Sequence, residues 1–511
     1  MSNHVNTDPV ASDEGTVTPG SQDSQAGLKD ADISYSSSHV MQHRDSLFEV
    51  TLDENDPSCP QGWPALYRAW VVGTVSFSAW VVVLYSTSYM SSAPGLQSEF
   101  GASSMEATSG MTTYLMGLAL GSLFSAPLSE MYGRRIIYLG SLFVWNLLII
   151  PCGLAVSMCA ILVSRFWGGV FAAVLVSNGP GSIVDVSRPD QLALGMSLYS
   201  LGPFSGPVLG PLIGGVVFEH LGRQWTSWIV LILGGLAFLM MLTIRETYVP
   251  ELVRRKTKQL RSQTKDQRWW CQHDGKESAL DSAKVKICRP IILFFTEPTV
   301  WFINVWNAVI YGILYLCFVA YPIVFSQHRG WGPTSSGMSY LGIGIGILLA
   351  IVAEPLIRRI VNSGPKDPVS GKPQPENIAA IMAVGSLLSP LGQFGFAWTC
   401  LPARIHWIVP MLFGIPFGAG NTLSFIYSNS YLGRAYGIYA ASALASNAVI
   451  RSIFGATLPL IATRMYVAVS PQIAGTICGV LLLLMIPIPF VFWRYGPRFR
   501  ERSKVIRQVG I

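Results

Sequence analysis

Arg165 stands inside an apolar stretch, in the run Ser164-Arg165-Phe-Trp-Gly-Gly169. On insertion scales a side-chain cation in hydrocarbon costs at least ~2.5–3.5 kcal/mol, so such a residue calls for a role or a partner. Arginine stays protonated, which limits it to holding a nearby acid or an anionic group in its charged form; it never carries the proton itself. No aspartate or glutamate lies deep within the apolar stretches of the first half to act as that partner. A second reading stays open, in which the arginine lies near the end of its stretch and snorkels to the interface.

A second cluster is the run Ala126-Pro-Leu-Ser-Glu-Met-Tyr-Gly-Arg-Arg135, which sets Glu130, Gly133, Arg134 and Arg135 in one tight turn. Charge-assisted hydrogen bonds among such groups can latch helix ends together. An ordinary basic turn explains the two arginines but not a glycine and a carboxylate at this spacing. Asp185 lies twenty residues beyond Arg165, at the far end of the same apolar stretch, and is a candidate partner for Arg134 or Arg135.

A third pattern has no charge at all. Gly202, Gly206, Gly210 and Gly214 recur every four residues, Pro203, Pro207 and Pro211 follow the same period, and Gly215 closes the run. A helix with this pattern has one bare face and repeated breaks in its hydrogen-bond ladder, suited to close backbone approach in lipid and to bending. General small-residue packing is the alternative reading. Polar side chains among the apolar residues of the second half complete the set: Asn304 and Asn307 beside Trp301 and Trp306, then Tyr311, Asn421, Tyr427 and Asn429. Aromatic and amide groups suit a bulky, partly planar organic ligand, whereas a lone membrane asparagine more often bonds helix to helix. Arg451 is open between contact with a ligand and packing of the last helices.

The elements that must position these residues are membrane helices. Half of the 511 residues are apolar and only 12% are charged, with a mean hydropathy of +0.43, beyond the usual balance of a soluble chain. Fifteen tryptophans and nineteen tyrosines suit two membrane interfaces. Apolar stretches long enough to cross a ~30 Å core fall at about 69–90, 110–129, 136–156, 159–182, 193–218 and 226–245, and then at about 298–325, 335–356, 378–399, 406–428, 437–461 and 473–493. This predicts an all-α membrane protein with two six-helix bundles, 67–245 and 291–494.

The flanking segments read differently. Residues 1–66 hold eleven acidic residues against Lys29 and Arg44 and few large apolar side chains, which predicts a disordered tail without a signal-peptide core. Residues 246–290 read as a basic linker loop, with an amphipathic surface stretch as the other option, and 495–511 as a basic tail. With the first tail inside, the inner loops and the C-terminal tail carry 26 basic residues against four outside, and deleting the linker leaves 14 against four. Cytoplasmic loops carry this excess, so both ends are expected inside.

Several function classes drop out. The basic residues are scattered over short loops, which is no nucleic-acid footprint. No G-x-x-x-x-G-K-[ST] loop exists to hold ATP phosphates. The seven histidines are dispersed, unlike a membrane enzyme's site, and the eight cysteines show no paired spacing for a disulfide framework or zinc. No cofactor is expected, so an ion gradient must supply the energy.

These motifs resemble those of the major facilitator superfamily. The turn is similar to its loop motif G-x-L-x-D-x-x-G-R-R/K, with Ala126 and Glu130 as departures. Ser164 to Gly169 resembles its fourth-helix R-x-x-x-G motif, which implies a proton-coupling role for Arg165. The run Gly210-Pro-x-x-Gly-Gly215 is similar to the antiporter signature, although Ser197 replaces the first glycine of the extended form. Further runs, among them Glu246-Thr-Tyr-Val-Pro-Glu-Leu, Tyr311-Gly-Ile-Leu-Tyr-Leu and Arg451-Ser-Ile-Phe-Gly, resemble the fungal twelve-helix drug:proton antiporters, in the subgroup of polyamine, azole and secondary-metabolite exporters. The resemblance implies the major facilitator fold and a monomeric, proton-driven exporter of a small organic compound, a non-enzyme in the plasma or vacuolar membrane. Within that range a secondary metabolite or toxin is preferred over a polyamine, because Glu297 and Glu354 are the only clear carboxylates on the second-half helices for a cation. An azole exporter and a transporter-like sensor are the remaining alternatives.

Overall fold

The computed structural model describes residues 48–52, 56, 58–155, 157–188, 191–271, 279–365 and 374–502. The expected acidic tail up to residue 47, part of the linker and the end of the basic tail lie outside the described residues. Twelve helices among them are long and apolar enough to cross a membrane: α1 Ala65–Phe100, α2 Ser104–Tyr132, α3 Arg134–Leu154, α4 Met158–Val186, α5 Leu194–Leu221, α6 Arg223–Leu242, α7 Pro298–His328, α8 Pro333–Ser363, α9 Glu376–Thr399, α10 Ile408–Tyr436, α11 Ala440–Ala468 and α12 Pro471–Phe499. The end at which α1 starts is called inner, following the charge count.

The helices pair by a rule that repeats after six spans. In the first half α1 packs on α5, α2 on α4, and α3 on both α4 and α6; in the second, α7 packs on α11, α8 on α10, and α9 on both α10 and α12. The halves meet where α2 lies on α11 and α5 on α8. Such duplicated pairings are the structural mark of an internal repeat. Small residues set the closest crossings. A Cβ on Gly117 would lie 2.0 Å from the Phe166 carbonyl oxygen and one on Gly169 2.0 Å from that of Tyr114, which brings α2 onto α4. In the second half Gly342 and Gly418 do the same for α8 and α10. On α3, α6 and α12, large side chains such as Phe143, Leu239 and Leu484 are exposed, as expected where lipid rather than water is the solvent.

Local signals set the ends. Ser103 and Glu106 form a reciprocal capping box at the start of α2. Gly133 joins α2 to α3 with φ 87°, a conformation that glycine adopts without steric cost. The segment expected to be a linker loop is instead largely helical, over Val249–Thr264 and Ala279–Thr296. Its leucines, lysines, arginines and glutamines are good helix formers, and Glu251 pairs with Arg255 one turn on at 2.9 Å.

Most of the described residues, those within 52–256 and 279–502, form one unit; residues 257–271 with 48–51 form a second. Within the second, Trp270 pairs with Glu49 as an isolated parallel bridge, through backbone hydrogen bonds to Phe48 and Val50 of 3.0 and 2.8 Å.

Candidate transport site

The proline-rich helix α5 is built onto α1. Pro203 and Pro211 have no N–H for the carbonyls of Tyr199 and Pro207 four residues earlier. Two hydroxyls of α1 replace those donors: Ser76 Oγ donates to the Tyr199 carbonyl at 3.0 Å and Thr87 Oγ1 to that of Pro207 at 3.0 Å. The glycines give the hydroxyls room. A Cβ on Gly210 would lie 2.1 Å from Thr87 Oγ1, and one on Gly202 2.2 Å from the Ser76 carbonyl oxygen; Gly206 and Gly214 face Trp80 and Ser88 of the same helix. Gly215 turns the other way, toward Pro333 of α8, while Gly337 of α8 faces the Pro211 carbonyl, so α5 is the element that joins the first bundle to the second.

Arg165 has no exposed surface. Its Nε donates to the Gly110 carbonyl of α2 at 2.6 Å, and its Nη2 to the Tyr85 and Ser86 carbonyls of α1 at 3.2 and 3.3 Å. Those two carbonyls lie where α1 tightens into a 3-10 turn over Tyr89–Ser92, a change of ladder register that leaves acceptors available. The guanidinium also lies 4.1 Å from the centre of the Tyr89 ring, 4.5 Å from Tyr85 and 5.1 Å from Tyr114. Snorkelling is excluded by this enclosure: the cation is turned inward, solvated by carbonyl dipoles and ring faces. Nη1 is buried without a hydrogen-bond partner.

At the inner end, Arg134 Nε donates to Asp185 Oδ2 at 2.5 Å. Arg135 reaches the Leu242 carbonyl at 3.1 Å. The choice left open by the spacing thus falls on Arg134. A carboxylate that the spacing did not single out completes the latch. Glu246, buried just beyond α6, accepts the backbone N–H groups of Arg134 and Arg135 at 2.9 and 3.1 Å. It caps the start of α3, where free N–H groups and the helix dipole favour an anion. Gly133 is needed for this approach, since a Cβ there would lie 2.6 Å from Glu246 Oε2. Tyr248 lies over Arg134 at 5.3 Å, and burial, followed by the charge of Glu130, pushes its hydroxyl up to about 12.

Both halves contribute to the centre. Ser86 Oγ and the Tyr315 hydroxyl are 3.0 Å apart, one on α1 and the other on α7. The Tyr315 ring lies 4.7 Å from Tyr311, and Tyr311 lies 4.7 Å from the guanidinium of Arg451 on α11. On its other side Arg451 meets Phe425 of α10 at 4.5 Å, and Phe425 packs edge-on against Phe204 of α5 at 4.9 Å. Nearer the outer side, Thr112 Oγ1 donates to the Ala456 carbonyl at 2.8 Å; at the outer end Glu219 accepts the Thr334 N–H at 2.8 Å; toward the inner end Ser197 donates to Glu354 at 2.8 Å.

The profile of the Major Facilitator Superfamily matches residues 75–450. This chain belongs to the Major Facilitator Superfamily. It is a multi-pass membrane transporter and not an enzyme. It is 37% identical over 462 residues to a major facilitator superfamily multidrug transporter, mdrA, of Aspergillus fumigatus, covering 89% of this chain and 76% of that one. To an MFS-type efflux pump of Trichophyton rubrum it is 35% identical over 454 residues, with 88% and 76% covered. To the citrinin biosynthesis cluster MFS transporter of Monascus ruber it is 33% identical over 511 residues, with 97% and 98% covered. Among solved structures, the proton:xylose symporter XylE superposes with a TM-score of 0.60 at 13% identity over 85% of this chain and 96% of that one. The human organic anion transporter MFSD10 gives 0.59 at 16%, with 84% and 100% covered. These two show the shared fold.

In this transporter, the residues expected to line a cavity divide. Asn304 and Asn307 are fully enclosed between α7 and α11, where Asn304 Nδ2 donates to Ser446 Oγ at 2.8 Å, Asn447 Nδ2 to Asn304 Oδ1 at 3.0 Å, and Asn307 Nδ2 to Asn447 Oδ1 at 3.0 Å. That network ties the two helices together through the amides, the helix-to-helix role that the sequence left open beside cavity lining. Trp301 is 41% exposed and packs edge-on against Phe302. Tyr311 and Arg451 are brought together. Asn421 and Tyr427 are buried on α10, with Asn421 Oδ1 and the Tyr427 hydroxyl unpartnered. Phe425, Ser86, Tyr315 and Glu246 were missed. Phe425 follows Asn421 by four residues, so the helical period carried a signal for it; the contact between Ser86 and Tyr315, 229 residues apart, had none.

Proposed function

We propose that this transporter exports a small organic compound of the secondary-metabolite or toxin class in exchange for protons, acting as a monomer in the plasma membrane. The observation that carries the reading is the enclosure of Arg165, a charge buried beside the helix pair at which the two halves touch. A fixed cation there responds to whether a partner or substrate group is ionised, which is what coupling to a proton gradient requires. The relatives named for efflux and for a biosynthetic cluster support the direction and the class. Polyamine export is disfavoured, since of the two carboxylates that the sequence offers a cation Glu354 is already held by Arg358 and Ser197, and Glu297 is buried and accepts from the Tyr436 hydroxyl.

The test combines two measurements on the full-length protein. Cells with and without the gene are compared by untargeted metabolite profiling, and the compound retained by the deletion strain is then followed in vesicles with an imposed pH gradient. Gradient-dependent movement is expected. Movement that ignores the gradient removes the coupling, and a retained azole or polyamine replaces the substrate class. Unchanged metabolites together with altered transcription favour a sensor.

A further inference from the structure

We propose that the site between the two halves selects an organic anion and that Arg451 receives its carboxylate, an inference that rests on the transport reading above and gives it a substrate charge. Arg451 is nine-tenths buried in the inner half of α11. Its guanidinium lies 4.7 Å from the Tyr311 ring and 4.5 Å from the Phe425 ring, and among the described residues no hydrogen bond or ion pair reaches it, with Nε buried and unpartnered. Ring faces attract a cation but carry no net charge, so they leave the positive charge uncancelled. Arginine cannot relieve this by losing its proton.

Four other arginines in the spans show what a satisfied one looks like. Arg134 has Asp185, Arg223 has Glu99, Arg358 has Glu354, and Arg165 has three carbonyls. Arg451 has none of these. Its surroundings are those of a ligand site: Tyr311 and Tyr315 from α7, Phe425 from α10, Phe204 from α5, and Leu115 of α2 one turn along at Gly455. Tyr311 and Phe425 flank the cation directly, and Phe204 and Leu115 of the first half pack next to that pair at Phe425 and Gly455, so both halves border the site, as one opened alternately to either side needs. A planar guanidinium matches a carboxylate in a two-bond fork, and the flanking rings match a flat apolar body. The occupant that fits is an aromatic or conjugated acid in its ionised form.

The probes are three compounds of one shape: 1-naphthoate, 1-naphthamide and 1-naphthylmethylammonium. Binding to the purified full-length protein is measured by calorimetry. The wild type is expected to bind the carboxylate at least about tenfold more tightly than the amide, equivalent to ~1.4 kcal/mol, and the ammonium weakest. Arg451→Gln is expected to bind carboxylate and amide alike. Equal affinities in the wild type, preference for the ammonium, no binding of the carboxylate, or a preference that survives in Arg451→Gln would each overturn the proposal. The wild-type comparison decides even where the variant does not fold. Counterflow in vesicles separates this from the transport reading: movement of the amide but not the carboxylate defeats the anion inference alone, whereas movement of none of the probes or of any retained metabolite defeats transport.

Discussion

Ser86 and Tyr315 join the two halves of the transporter through one buried hydrogen bond of 3.0 Å. The same Ser86 accepts from Arg165 through its carbonyl, so a single residue touches both the enclosed cation of the first half and the aromatic wall of the second. Any movement of α1 against α7 must break this contact. Tyr315→Phe keeps the ring and removes the hydroxyl, and together with Ser86→Ala it is expected to show a coupling of about 0.5–1.5 kcal/mol in a double-mutant cycle read from transport rate. Additive effects would mean that the contact does not take part in the cycle.

The latch gives a second expectation. Asp185→Asn leaves the Arg134 cation without its carboxylate in a largely enclosed place, which typically costs 3–5 kcal/mol for a buried pair and less at a partly solvated one. Transport by Asp185→Asn should fall at least about tenfold, and Arg134→Gln should add little to that loss. Independent, additive losses would reject the pairing.

Glu246 is testable through stability. Glu246→Ala removes the acceptor of two N–H groups at the start of α3, an N-terminal cap worth about 0.5–2 kcal/mol. A lowered melting temperature of the purified protein is expected, with Glu246→Asp partly restoring it. An unchanged melting temperature in Glu246→Ala would remove the capping role.

The face between α1 and α5 predicts a contrast among glycines. Gly210→Leu should abolish transport while leaving protein in the membrane, because Thr87 and the Leu84 carbonyl occupy the space a side chain needs. Gly140→Ala and Gly235→Ala should be tolerated, since nothing lies within 4 Å of either added carbon. Transport assays on the three variants check this, and normal activity of Gly210→Leu would refute the packing account. Thr87→Val leaves the Pro207 carbonyl unpaired, at a cost of about 1–3 kcal/mol in stability.

Arg165→Lys retains charge but loses the planar fork that reaches carbonyls on two helices. Efflux driven by an imposed pH gradient should be severely impaired, while substrate counterflow without a gradient persists. Full gradient-driven efflux by this variant would remove the coupling role, and loss of both activities would make the arginine a structural clamp only.

The sequence alone determined the twelve spans, the division into halves and the need for a partner at Arg165. These properties are local: a membrane helix satisfies its own backbone hydrogen bonds, so apolar length suffices to announce it, and the cost of a charge in hydrocarbon follows from its position in one span. Gly133, Arg134 and Asp185 were legible for the same reason, as groups at helix ends with few other functions. The rotation of each span about its axis was decided only by the tertiary structure. In lipid, a face toward a neighbouring helix and a face toward hydrocarbon are both apolar, so periodicity does not say which way Asn304, Phe425 or Arg451 points. Packing assigned Asn304 and Asn307 to the α7 and α11 seam, gave Asp185 to Arg134 rather than Arg135, and left Arg451 between two rings without an anion, because those outcomes depend on contacts among residues tens to hundreds of positions apart.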